Sequence, residues 1–273
     1  MHKIIKLFHG LIEFLLILYR RRGMILDMAR RDVASHHIGS LLGFFWTFVN
    51  PVIMITILWF VFSVGFRTMP KGNVPFVVWL TAGMCIWNTF VEVVNGSALA
   101  IISSPYLVKK IVFPLSILPV VKLVGALITH CIFLCLLALL IVFQGVPINL
   151  YWLQALYYFM AMSVLALGLG WLASSVNVFA RDTAQIVGVV MQIGFWGTPI
   201  FWDLSIMPER FQFFVKLNPM FYIVQGYRDS FIYGVPFWQH WQMTLYYWSV
   251  AGFAFALGAI IFLRLRPHFA DVL

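Results

Sequence analysis

Ionisable residues are scarce in this chain, so those placed among apolar neighbours carry the most information. Between Thr198 and Gly234 the sequence TPIFWDLSIMPERFQFFVKLNPMFYIVQGYRDSFIYG holds Asp203, Glu209, Arg210, Lys216, Arg228 and Asp229, and Pro199, Pro208 and Pro219 interrupt it. A helix crossing a bilayer needs about 20 consecutive, mostly apolar residues. This stretch is not such a helix, and it is too apolar for an ordinary solvated loop. Irregular backbone survives at membrane depth only where protein or a water-filled cavity satisfies its polar groups. The expectation is a broken, re-entrant hairpin at about 204–234, entering after one span and leaving before the last. The competing reading is a surface loop with an amphipathic turn.

Two further charges, Glu92 and Lys122, sit inside apolar runs. A charge at a helix centre costs on the order of 2.5–3.5 kcal/mol on insertion scales, so both need an explanation. Their depths from the inner ends of their spans, roughly 9 and 12 Å, allow an intramembrane pair if the two helices are neighbours. Otherwise Lys122 snorkels inward and Glu92 faces a wet channel. Over Met24–Ala34, Ile25, Leu26, Met28, Ala29 and Val33 share one helical face, while Asp27, Arg30 and Arg31 share the opposite one and Asp32 breaks the pattern. In the first twenty residues Lys6, His9, Glu13 and Arg20 likewise fall on one narrow face. Both segments read as amphipathic helices lying in the interface, residues 1–40.

Enzymatic chemistry is hard to place. There is no G-x-x-x-x-G-K-[ST], H-E-x-x-H, C-x-x-C or G-x-S-x-G, and the nine acidic residues are scattered. Cys85, Cys131 and Cys135 all lie in apolar runs and form neither a disulfide framework nor a metal-ligand pattern. The expectation is no catalytic residue, no metal and no cofactor on this chain. Energised work must draw on another subunit or an ion gradient.

The elements that position these residues follow from composition. The chain is 63% hydrophobic and 10% charged, with a mean hydropathy of +0.95, which places it among polytopic membrane proteins. Its net charge of +9 collects between the apolar runs, so orientation and membrane lipids account for it and nucleic acid does not. Spans are expected at about 42–66, 76–98, 114–143, 150–179, 184–203 and 244–264. The fold class is therefore all-α, one domain over 1–273, with a six-span bundle over 42–266 and both termini on one side. If that side is cytoplasmic, Lys3, Lys6, Arg20, Arg21, Arg22, Arg30, Arg31, Lys109, Lys110, Arg181, Arg264 and Arg266 lie inside. Arg67, Lys71, Arg210, Lys216 and Arg228 lie outside, as the positive-inside rule favours. The inner loop SSPYLVKKIVFP then offers a short helix, with Pro105 and Tyr106 at its start and Lys109-Lys110 at its end, that can press on a cytoplasmic partner.

Aromatic residues are the last candidates. Phe44, Phe48, Trp59, Phe62 and Phe66 fall within about 60° of one another around the first span. Phe195, Trp196 and Phe201 stand near the outer hairpin. Flat aromatic faces offer an apolar surface without fixed hydrogen-bond registers, so these residues are candidate passage lining. Packing, dimer contact or a lipid-facing surface are the other uses of such a row.

The segments RDVASHHIGSLLGFFWTFVNP from Arg31, SPYLVKKIVFPLSILP from Ser104, VFARDTAQIVG from Val178, TPIFW from Thr198 and LNPMFYIVQGYRDSFIYG from Leu217 run in order through essentially the whole chain. Together they resemble the permease subunit of polysaccharide ABC exporters, the ABC-2 family of O-antigen, teichoic-acid and capsule transporters, most closely the O-antigen and teichoic-acid type. The resemblance implies a homodimer in the bacterial inner membrane, carried by two separate nucleotide-binding ATPase chains that hold ATP and Mg²⁺. It implies a coupling helix at Pro105, Tyr106, Lys109 and Lys110, two short gate helices re-entering before the last span, with Pro199, Pro208, Asn218, Pro219 and Arg228 as gate residues, and a lipid-linked polysaccharide on polyprenyl pyrophosphate as substrate. Arg30 and Arg31, on the polar face of an interfacial helix, are then candidates to collect that headgroup, attraction to anionic bulk lipid being the other use of them. An ABC-2 exporter of drugs or small lipids and a membrane-embedded glycolipid transferase are the alternatives.

Overall fold

The computed structural model describes residues 14, 16–35, 43–67, 74–109 and 113–273, apart from the side chain of Phe44. Among them the chain is helical with no strand. Helix α1 (Arg22–Ser35) precedes α2 (Trp46–Trp59), which continues as a π-helical stretch Phe60–Gly65. Then come α3 (Phe76–Ala100), the one-turn α4 (Pro105–Val108), α5 (Leu118–Phe143), α6 (Gln154–Phe179) and α7 (Thr183–Gly197). The hairpin is α8 (Glu209–Lys216) and α9 (Pro219–Arg228), the latter running into a π-helical turn Asp229–Tyr233, before α10 (Trp241–Leu265) and α11 (Phe269–Val272).

Among the described residues five stretches are long and apolar enough to cross a membrane: Trp46–Gly65, Phe76–Ala100, Leu115–Phe143, Leu150–Phe179 and Phe237–Val272. The segment expected as a span at 184–203 is instead a 15-residue helix, α7, that stops at Gly197. Thr198, extended at φ −94° and ψ 136°, is the cause: a residue before proline is forced out of the helical region, and Pro199 follows it. The expected helix over the first twenty residues falls largely outside the described residues.

Helix α3 is the axis of the bundle. Its residues 78–87 are all buried, against α5, α6, α7 and α9. The closest crossing joins α6 to α10, where Gly168 and Gly258 meet backbone to backbone; a Cβ on Gly258 would stand 2.0 Å from the Gly168 carbonyl oxygen. Small residues permit such approach between membrane helices. Beside it Trp171 meets Phe255 edge-on at 5.0 Å. Helix α1 lies along α5, burying Ile25 and Ala29 against Ile117, Val120 and Val121. That is the apolar face its sequence marks out, except that Leu26 stays exposed.

Candidate functional site

The hairpin is built around one buried cation. Arg228, at the end of α9, is 1% exposed. Its Nη1 and Nη2 donate to the carbonyls of Pro199 and Ile200 at 2.7 and 2.8 Å, its Nε reaches the Trp79 carbonyl at 3.4 Å, and its plane lies over the Trp79 ring, 3.3 Å from the centroid. Gly83 on α3 leaves room for it: a Cβ there would sit 3.0 Å from Nη2. Burial pulls the guanidinium pKa down while Tyr233, Asp203 and Asp229 hold it up; an arginine stays protonated at neutral pH. The one side chain thus ties the broken end of α7 to α9 and to the start of α3. It borders a cavity of about 900 Å³ that Asp203, Glu209, Gln212, Lys216, Gln225 and Tyr233 also line.

The remaining gate candidates shape the backbone. Asn218 Oδ1 caps α9 by accepting from the Met220 amide at 3.0 Å, with Pro219 at the first helical position, where its missing N–H costs nothing. Asn218 Nδ2 donates to Thr198 Oγ1 at 2.7 Å, so the hairpin is pinned to the end of α7 twice. Pro208 stands just before α8, at φ −55°. Helix α9 is bound deeply. Gly226 abuts the Tyr158 ring, and the Tyr227 hydroxyl lies 3.1 Å from His130 Nε2, midway along α5. Thr89 donates its proton to the Cys85 carbonyl, so His130 Nδ1 donates to Thr89 Oγ1 at 2.9 Å, and Nε2 accepts from Tyr227.

The aromatic candidates from two distant segments come together. Phe62 packs on Phe66, Phe76 and Phe201, with centroids 5.5, 6.3 and 4.9 Å apart. Phe201 in turn meets Phe195 and Trp196 at 5.3 and 4.9 Å. Phe66 and Trp196 are 71% and 58% exposed, while Phe201 is buried beneath them and holds the cluster without lining any surface. Phe48 and Trp59 are exposed farther along α2 and outside this cluster; the side chain of Phe44 lies outside the described residues. Phe45, Trp46 and Phe60, off the expected row, are just as exposed. Contact through Phe201, just past the end of α7, and not exposure, therefore singles out the outer members.

The Glu92–Lys122 pair is not the one formed. Lys122 Nζ meets Asp32 Oδ1 of α1 at 2.5 Å, and Glu92 Oε1 instead takes the Thr129 hydroxyl at 3.4 Å. Residue counting places the depths of the two charges but not the neighbour: α1 lies on α5 and brings a third charge, the Asp32 that breaks its amphipathic pattern. Replacing Lys122 by Met leaves Asp32 unpaired in a half-buried site. It is expected to lower stability by about 1–2 kcal/mol, and adding Asp32→Asn should recover most of the loss, as thermal unfolding in detergent would show. The sequence reading also missed Asn88 and Asn95. They share the exposed edge of α3 with Glu92, and their spacings of four and three residues in an apolar helix were the available signal.

A family model described as ABC-2 type transporter matches residues 28–232, from within α1 to the turn that follows α9. The chain belongs to the ABC-2 transporter family. Over 254 residues it is 25% identical to an O-antigen export system permease protein RfbA of Klebsiella pneumoniae, covering 92% of this chain and 95% of that one. A protein of the same name from Myxococcus xanthus is 29% identical over 221 residues, 78% of this chain and 82% of the other. An ABC-2 protein is a membrane-embedded transporter subunit, and the remaining candidates are read on that footing.

In this ABC-2 subunit the short helix expected after the second span is present as α4. Pro105 opens it, Leu107 anchors it among Ala100, Ile101 and Leu115, and Tyr106 and Lys109 are exposed. Lys110 lies outside the described residues. Arg30 and Arg31 are exposed on the side of α1 away from α5. Among the described residues no three His, Cys, Asp or Glu side chains gather in a way that could hold a metal.

Proposed function

We propose that this ABC-2 subunit is the permease of an exporter that moves lipid-linked O-antigen across the bacterial inner membrane. In this reading it works as a homodimer with two ATPase chains, which carry ATP and Mg²⁺. The observation that carries it is the likeness, over nearly the whole chain, to permeases named for O-antigen export.

Six crossings with both termini cytoplasmic suit the contacts of α7. At its start the Ala184 amide donates to Asn177 Oδ1, whose Nδ2 donates to the Ala98 carbonyl. Just past its end, Pro199 and Ile200 share Arg228 with Trp79. From Ala98 to Trp79 is about 28 Å along α3, close to the ~30 Å of bilayer hydrocarbon. Helix α7 and the extended residues after it thus serve as the fifth crossing, and α8–α9 as the re-entrant gate. Arg30 and Arg31 face the cytoplasmic leaflet, suited to the pyrophosphate headgroup. The exposed aromatics of α2 and α7 flank the exit.

Removing the chain from cells that make the polymer is expected to abolish surface O-antigen and accumulate lipid-linked polymer at the inner face. Unchanged surface polymer overturns the reading, and loss of a different cell-surface product reassigns the substrate. Helix α4 is the docking point for the ATPase. Lys109→Glu together with Lys110→Glu is expected to cut ATPase co-purification at least fivefold and to stop export; undiminished association removes this assignment.

A further inference from the structure

From Val78 to Ala100, α3 is buried except at Asn88, Val91, Glu92, Asn95, Gly96 and Leu99. These positions form one narrow helical strip, and half of them are amides or a carboxylate. On one side the strip is bordered by α5, where Thr129 reaches Glu92 and the Lys122 stem packs on Gly96. On the other it is bordered by α7, where Phe195 meets Trp87 at 6.3 Å. Glu92 lies eight residues from the inner end of α3, about 12 Å into the membrane. Asn95 is half-buried, and its Oδ1 is itself buried with no hydrogen-bond partner among the described residues. The helix thus spends its only uncovered edge on the side chains that lipid tolerates least. Intramembrane ionisable groups face a bundle interior or a water-filled cavity.

We propose that the Asn88–Glu92–Asn95 strip is a wetted wall of the export passage and that its ligand is the hydroxyl-rich glycan passing along it. This rests on the function proposed above. Amide and carboxylate groups donate to and accept from sugar hydroxyls as water does, so each contact exchanges for another as the chain advances. The lysine–aspartate pair at the inner end of the strip leaves the Glu92 carboxyl with no ion-pair partner among the described residues, its Oε1 accepting from the Thr129 hydroxyl.

Single cysteines at positions 88, 92 and 95, in protein with Cys131 and Cys135 replaced by serine and the buried Cys85 kept, report wetting directly. A thiol reacts with a charged, membrane-impermeant methanethiosulfonate only as the hydrated thiolate. All three are expected to label at least tenfold faster than a cysteine replacing Phe253, which is exposed midway along α10. Glu92→Leu and Asn95→Leu are expected to fold and to slow export severalfold. Labelling at the Phe253 rate, or leucine variants that export normally, overturns the wall. Export by the unmodified protein tests the functional reading separately, so protected cysteines in an export-competent transporter count against the wall alone.

Discussion

Arg228→Met is expected to stop export and release the α8–α9 hairpin while the rest of the helical bundle remains folded. The substitution keeps much of the side chain's length but removes every donor. The Pro199 and Ile200 carbonyls, held at 2.7 and 2.8 Å, then lie buried without partners, at roughly 1–3 kcal/mol each. The stacking on Trp79 is lost as well, about 2 kcal/mol for a desolvated pair. The sum, roughly 4–8 kcal/mol, falls on one junction rather than on the whole bundle. The bonds it breaks are those that join α7 to α9. Arg228→Lys should recover little, because an ammonium cannot donate along three directions and lie flat on an indole. Protease cleavage between Thr198 and Asn218 in sealed vesicles of known orientation, followed beside surface polymer, checks both parts. A methionine variant that exports normally and resists cleavage as the parent does would remove Arg228 from the gate.

That residue also marks the limit of what the sequence discloses. Arg228 was recognisable as a gate candidate because a charge among Phe, Tyr and Ile beside Asn218 and Pro219 demands irregular, protected backbone. Its partners were not recognisable, because they are main-chain carbonyls and an aromatic face, which leave no complementary charge to search for. The break at Thr198 was legible in Pro199 yet outweighed by the apolar run through residue 203. Lys122 shows a different gap. Depth along a span follows from residue counting, but lateral neighbours depend on which helix is packed where, and Asp32 comes from 90 residues away. The aromatic row of α2 was legible as a row. Its use was not, because α2 is exposed nearly all round and the contacts that single out Phe62 come from Phe201, beyond the end of α7.

Gly258→Val is expected to be the most damaging substitution outside the gate. Even the first added carbon would stand 2.0 Å from the Gly168 carbonyl oxygen and 2.8 Å from its carbon, and neither atom belongs to a side chain that can swing away. Helices α6 and α10 must separate, and α10 carries more than itself. Tyr247 donates to the Ala161 carbonyl at 2.8 Å, Tyr246 to the Leu217 carbonyl at 2.6 Å, and Thr244 meets the Tyr222 hydroxyl at 2.9 Å. The last two bonds hold the start of α9, so the strain reaches the gate. Overpacking costs about 1–3 kcal/mol where side chains can adapt, and more where backbone must move. A fall of roughly 5–10 °C in melting temperature is expected, with loss of monodisperse protein in detergent. Gly252→Ala is the internal control. It lies on the same helix with nothing within 4 Å of the new carbon, and exchanging glycine for alanine favours a helix by about 1 kcal/mol. It should be neutral or stabilising. Equal behaviour of the two variants would mean that α6 and α10 do not touch at Gly168.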